Sequence, residues 1–309
     1  METDHEVIVI GGGAAGLSAA VALGRSRRSV LVIDAGEPRN APADGVHNFL
    51  SREGTAPGDL LVAGRAEVSH YGGEIRSGRA VRAEQLDGGF AVTLEDCSRV
   101  TARRLVVTTG LVDELPEVEG VRERWGRDVL HCPYCHGWEV RGQQVAVLGT
   151  GPGSVHQALL FSQLTDDLTF VTHGFEPDKD ARGMLAAAGV AVVEGPVLAV
   201  EVVDDAVTGL RLTDGQLVPA TAVVVSPYMR ARSEVLTSLG VETVPHVSGF
   251  GEHVVVDEMR QTSVPGVYAA GNVVDLSAQV MGAAAAGTMA GALANADLVM
   301  SDTHARMTA

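Results

Sequence analysis

The chain carries one local pattern twice: a short apolar run, a glycine-rich turn, a helix-forming stretch and a second apolar run. The first copy reads Val7-Ile8-Val9-Ile10, then Gly11-Gly12-Gly13-Ala14-Ala15-Gly16, a helix over Leu17–Gly24 and a strand over Ser29–Ile33 that ends at Asp34. The second reads Gln144–Leu148, then Gly149-Thr150-Gly151-Pro152-Gly153-Ser154, a helix over His156–Leu164 and a strand over Leu168–Val171. Unbroken apolar runs of this length are those of parallel strands covered on both faces. In the first copy Gly11 allows the tight turn, Gly13 lets backbone approach a pyrophosphate, and Gly16 lets helix and strand pack closely. The pyrophosphate then lies over the helix N-terminus. Asp34, 18 residues beyond Gly16, is placed to accept from a ribose hydroxyl. The second copy ends in Ser154 where the fingerprint has glycine, which weakens the match.

A chain of 309 residues with 46% hydrophobic residues is long enough for two packed domains. The fold class expected is α/β, with two Rossmann-like, doubly wound, three-layer nucleotide-binding domains, the second inserted in the first. Residues 81–107 read as a small β meander that ends in Thr108-Thr109-Gly110. After Val223–Ser226 and Pro227 the chain returns to the first domain through Val254–Asp257 and Pro265–Asn272. A closing helix follows over Gln279–Leu298. The expected division is 1–112 plus 243–309 for the first domain and 113–242 for the inserted one.

The formal net charge of −16 argues against nucleic acid and anionic membranes as partners, since phosphate polymers require basic patches. Small molecules and proteins with basic rims stay open. No apolar stretch reaches the ~18 residues of a membrane span, and the first residues lack the basic region of a secretory signal. A cytoplasmic location is the expectation. The chain has three cysteines, and in a reducing compartment a CxxC pair is more often catalytic than structural. Cys97 is left without a role.

That pair lies in His131-Cys132-Pro133-Tyr134-Cys135-His136, just upstream of the second glycine turn. A dithiol between two nucleotide folds is a means of passing electron pairs between thiols and a bound redox cofactor. His131, Cys132, Cys135 and His136 are also zinc-competent. Adjacent residues rarely converge on one tetrahedral ion, however, and no second CxxC completes a set, so no metal is expected.

Taken in order, the GGGAAG turn, the TTG segment, the CxxC, the second glycine turn and Thr262-Ser263-Val264-Pro265-Gly266-Val267-Tyr268-Ala269-Ala270-Gly271-Asn272 resemble the low-molecular-weight thioredoxin reductase family of flavoproteins. The resemblance covers essentially the whole chain. It implies FAD as cofactor, with Gly11, Gly13, Ala14, Ala15, Gly16 and Asp34 on its adenosine half. Gly110, Gly271, Asn272, Gln279 and Val280 fall in the family's other flavin-site segments, the last four toward the ribityl and isoalloxazine portions. It also implies that Cys135 faces the flavin, that Cys132 exchanges with substrate, and that the protein is a homodimer.

Three departures sharpen the reading. His136 follows the second cysteine where reductases carry an aspartate, and an imidazole of ordinary pKa ~6.5 suits proton removal from a dithiol. Thr172 and His173 end the second unit's strand without the arginines that bind NADPH's 2′-phosphate or the acid that binds NADH. NADPH use is therefore doubtful, although Lys179 and Arg182 could reach a phosphate. Asn272 replaces the usual aspartate; its carbonyl can accept a hydrogen bond and its amide can donate one to a phosphate oxygen. Together these are similar to the dithiol oxidase branch, which closes dithiols in holomycin- and gliotoxin-type products. Electrons would pass from a dithiol to Cys132–Cys135, to FAD and to O2, which leaves as H2O2. The partner would be a small-molecule dithiol or a thioredoxin-like protein. An NADPH-dependent or ferredoxin-fed disulfide reductase stays open as the alternative. The loop over residues 39–49, with His47, could wall a small-molecule pocket or be a plain surface loop.

Overall fold

The computed structural model describes residues 3–308. Its main sheet has seven strands. The parallel strands Glu74–Ser77, Val30–Asp34, His5–Ile10 and Arg99–Val107 lie side by side in that order. Arg99–Val107 has two partners along its other edge. Its first half pairs antiparallel with Gly89–Leu94, and its second half pairs parallel with Val267–Ala269. The expected meander is therefore present as Ala80–Leu86, Gly89–Leu94 and Arg99–Val107, and its last strand enters the parallel sheet.

A second sheet holds five parallel strands: Ala191–Val193, Leu168–Val171, Val145–Leu148, Ala222–Val224 and Val129–Leu130, in that order. The two glycine turns thus belong to two separate parallel sheets, as the repeat requires. Beside them lie an antiparallel three-stranded sheet over residues 197–219 and a four-stranded sheet. The latter joins Leu111–Glu114, Tyr228–Ala231, Gly251–Val254 and Thr243–Pro245.

The structure differs from expectation in three places. The returning strand is Gly251–Val254, and it pairs within the four-stranded sheet, not the main one. Residues 231–241, read as part of the inserted unit, contribute Ala231, Val235, Leu236 and Val241 to the core under the main sheet. Ser238 fastens this segment: its Oγ accepts from Ala83 N (2.8 Å) and donates to Ala83 O (3.0 Å).

The closing helix is longer than its alanine-rich stretch and runs over Val280–Thr308. No glycine or proline follows Gly291 to stop it. Its far half is tied to the sheet by Arg104, which donates to Asp297 (2.5 Å) and Ser301 (2.9 Å), and by Arg28, which donates to Asn295 (2.8 Å) and Asp302 (3.1 Å).

Along this helix, small residues set the approach to helix Ala14–Arg25. A Cβ on Gly287 would come within 1.9 Å of Ala15 O, and one on Gly291 within 2.6 Å of Ala19 O. Gly287→Ala should therefore destabilise the protein by about 1–3 kcal/mol, as overpacking does. Calorimetry of the variant would reveal this as a lower Tm; an unchanged Tm would mean that the helix pair has slack.

Candidate active site

A cavity of about 370 Å³ opens at the carboxyl ends of the main sheet's parallel strands, where ligands of doubly wound sheets bind. Its walls bring together Gly11, Gly13, Ala14, Ala15, Asp34, Gly110, Gly271, Asn272, Gln279 and Val280 from the first unit with Cys132, Cys135 and His136 from the second. Residues 11 and 280 are 269 apart in sequence. Of the predicted positions only Gly16 lies behind the wall. Its α-carbon packs so closely on the turn that a Cβ would sit 1.8 Å from Gly11 O.

The first glycine turn faces open space: a Cβ built on Gly13 meets nothing within 4 Å. Asp34 Oδ1 accepts from Gly12 N at 3.1 Å, and Asp34 Oδ2 accepts from Arg65 at 2.9 Å. The carboxylate keeps lone pairs for a ribose hydroxyl. Turn and acid fit the adenosine half of a flavin dinucleotide. Asn272 differs from expectation. Its Nδ2 donates to Asp275 O and Ala278 O, both at 2.9 Å. Both amide protons are thus spent on the turn that precedes the long helix, and only Oδ1 remains for a ligand.

Cys132 and Cys135 are joined in a disulfide with Cα atoms 5.2 Å apart. Cys132 caps the short helix Pro133–His136, with Cys135 N and His136 N donating to its carbonyl at 3.2 and 3.1 Å. Both cysteines line the cavity. His136 does too, and its Nε2 is buried without a hydrogen-bond partner. Burial pushes its pKa below the ordinary 6.5, against the pull of Glu139. At neutral pH it is an uncharged base beside the disulfide.

His131 is a second neutral imidazole on the same wall, and sequence reasoning gave it only zinc competence. The Gln157 amide lies among three atoms: His131 O (2.9 Å), His131 Nδ1 (2.9 Å) and Val225 O (3.2 Å). His131 Nδ1 also lies 3.2 Å from Val225 O, so this nitrogen faces both a donor and an acceptor. Burial, then the nearby Arg39 guanidinium, holds the His131 pKa low.

Arg39 itself forms a two-pronged pair with Asp113, Nε to Oδ2 and Nη2 to Oδ1, both at 2.7 Å. The partners are 74 residues apart, and no motif marks them. No group of three or more His, Cys, Asp or Glu among the described residues could hold a metal ion.

The loop that carries Arg39 covers the cysteine segment. Asn48 Nδ2 donates to Tyr134 O at 2.6 Å, and Pro42 packs on Gly126. His47 stands between Glu53 (2.6 Å) and Glu139 (3.6 Å). The loop is thus part of the site. At the second unit, Arg182 is held by Glu176 (2.7 Å) and Glu194 (3.0 Å), and His173 Nδ1 accepts from Val197 N at 2.9 Å. Arg182 Nη2 and His173 Nδ1 are thus engaged within the unit.

Residues 5–290 match the family described as pyridine nucleotide-disulphide oxidoreductase. The chain is 30% identical over 308 residues to thioredoxin reductase tcpT of Claviceps purpurea, covering 95% of this chain and 94% of the relative. It is 31% identical over 324 residues to thioredoxin reductase sirT of Leptosphaeria maculans, covering 97% and 96%. Among solved structures, HlmI is similar at 45% identity with a TM-score of 0.93, covering 98% of this chain and 95% of that one. An oxidoreductase from Agrobacterium tumefaciens follows at 37% identity and 0.89, covering 97% and 99%.

Asp113→Ala would leave Arg39 unpaired in the cavity wall. It should cost about 2–4 kcal/mol, since stranding one member of a largely buried pair is expensive. Denaturant unfolding of Asp113→Ala, of Arg39→Met and of the double variant tests this. The double variant should recover part of the Asp113→Ala loss; a double loss equal to the sum of the two single losses would mean that the pair carries no coupling.

Proposed function

The chain belongs to the pyridine nucleotide-disulphide oxidoreductase family as a thioredoxin reductase-like enzyme, and within that family we propose that it is an FAD-dependent dithiol oxidase. The observation that carries this reading is one shared cavity. The Cys132–Cys135 disulfide and the first glycine turn line it, and none of residues 149–154 of the second turn does. Bound FAD supplies a two-electron sink that O2 can empty, with release of H2O2.

The protein's own part is thiol chemistry. A substrate thiolate attacks Cys132, opens the disulfide and leaves Cys135 as a thiolate. The second substrate thiol then displaces Cys132 and departs as a closed disulfide. The substrate has lost two electrons and two protons, and the cysteine pair has gained the electrons. His136, uncharged and with Nε2 unpartnered, takes a proton from the attacking thiol. Cys135 is the member assigned to the flavin side.

A small-molecule dithiol is the favoured partner, because the loop over Arg39–Thr55 narrows the approach to the cysteines with the Asn48–Tyr134 and His47–Glu139 contacts. We assign the discontinuous first domain to FAD and the inserted one to the dithiol. Cytoplasmic location and homodimer assembly belong to the same reading. Exposed Met281, Met289 and Met300 on the long helix offer apolar surface for a second copy. Among the described residues, no helix is long and apolar enough to cross a membrane.

The decisive experiment is anaerobic. Dithiothreitol alone should bleach the yellow protein, and admitted air should restore the colour with stoichiometric peroxide. Bleaching by NADPH within seconds would instead make the protein a reductase. Cys135→Ser should trap a mixed disulfide at Cys132 with an aromatic disulfide reagent, visible by mass spectrometry; trapping only in Cys132→Ser would reverse the two roles.

The pH dependence follows from the lowered His136 pKa. A depressed pKa keeps the ring neutral as pH falls through 6.5, so activity should persist there and decline only at lower pH. His136→Ala should remove that acid limb and slow thiol oxidation by roughly 10²-fold or more. An unchanged rate and profile would remove His136 from the mechanism.

A further inference from the structure

Membership in the family implies a nicotinamide dinucleotide on the second glycine turn, yet the residues there do not fit one. The two turns have matching frames, with Gly11, Gly13 and Gly16 against Gly149, Gly151 and Ser154. A dinucleotide cradle needs backbone N–H groups aimed outward and open space above them. The first turn has both. In the second, Pro152 stands at the first helical position and has no N–H to give. Thr150 N, like the matching Gly12 N, is already bonded within the protein, here to Ser154 Oγ at 3.1 Å, so Pro152 is the donor that the second turn lacks.

The space above Gly151, the match of Gly13, is open as well, and the two turns differ instead at the helix start two residues on. The ring of Phe250 lies against Gly153, where a Cβ would be 2.1 Å from Phe250 Cζ and 2.3 Å from its Cε1. The ring comes from a different element, the hairpin between Thr243–Pro245 and Gly251–Val254, 97 residues further along the chain than Gly153. Its placement is firmly set. Phe250 O accepts from Met229 N at 2.7 Å. The ring's cluster includes Leu111, Met229 and Leu276. Gly251 next to it touches Met229 O so closely that a Cβ would sit at 2.0 Å.

We propose that Phe250 is a specificity-determining plug that keeps nicotinamide dinucleotides off the second glycine turn. The turn keeps its fold because Phe250 and Ser154 satisfy it from within the protein. Further along, two carboxylates hold Arg182 and Val197 N holds His173 Nδ1. This exclusion stands on the geometry of the second turn alone and holds whether or not O2 accepts the electrons.

The test measures binding, not turnover. The flavin-loaded wild type, Phe250→Ala and Phe250→Leu are titrated with ADP-ribose, NADH and NADPH by calorimetry, with flavin content as the check on folding. The wild type should show no saturable binding in the millimolar range. Phe250→Ala should bind ADP-ribose at least about 10-fold more tightly, the worth of roughly one recovered charge-assisted hydrogen bond. Phe250→Leu, which keeps most of the bulk, should gain less. Submillimolar binding of either nicotinamide nucleotide by the wild type would overturn the proposal, as would a flavin-replete Phe250→Ala that gains nothing. If Phe250→Ala loses its flavin, the Leu variant decides: a gain over wild type supports the plug, and none rejects it.

Discussion

At three points along helix Ala14–Arg25, backbone rests on backbone with no side chain between: Gly16 on the first turn, Gly287 on Ala15 and Gly291 on Ala19. These contacts bring helix Ala14–Arg25 and helix Val280–Thr308 together. As a result both helix starts, distant in sequence, line one cavity. Helix N-termini carry unpaired N–H groups and partial positive charge, so two such ends make a wall suited to an anionic phosphate ligand. Side chains at the three positions would separate the helices and dismantle that wall before any chemistry could begin. The tight stack of small residues is therefore the element on which the rest of the site depends.

Chemistry around the disulfide follows from removing charge. His136 and His131 are both held neutral, chiefly by burial, and a neutral imidazole can accept a proton that an imidazolium cannot. The charged groups nearby are either paired, as Arg39 with Asp113, or kept toward the loop, as Glu53, whose carboxyl is held below its usual range by the His47 bond. A thiol at the cysteines thus meets an uncharged base, with Glu139 and Asp44 the carboxylates that act on it.

Local periodicity and glycine spacing made the two strand–turn–helix units legible in the sequence, because both signals depend on residues close in the chain. Cys132, Cys135 and His136 were legible for the same reason. What stayed hidden depends on distant pairing. Arg39 meets Asp113, Gln157 meets His131, and Phe250 reaches Gly153, and no local pattern announces any of these. The long helix was read short because its alanine- and glycine-rich stretch ends before Leu298, while its far half is held by Arg104 from the sheet and by Arg28 from the loop before Val30–Asp34. Asn272 shows the same limit at one residue: its chemistry permits a ligand contact, but the carbonyls of Asp275 and Ala278 take its protons first.

The loop over the cysteine segment is closed at its base by an antiparallel bridge between Val46 and Thr55, with Val46 N donating to Thr55 O at 2.8 Å and Gly54 N to Val46 O at 2.9 Å. Residues 47–54 therefore hang from a self-contained neck and pair with no strand of the main sheet. They hold His47, Asn48 and Glu53, the groups that face the cysteine segment and its flank. Of these residues only His47 lines the cavity, so the segment is a rim that closes on its own hydrogen bonds. Changes of length within it would leave the strand pairing of the main sheet untouched.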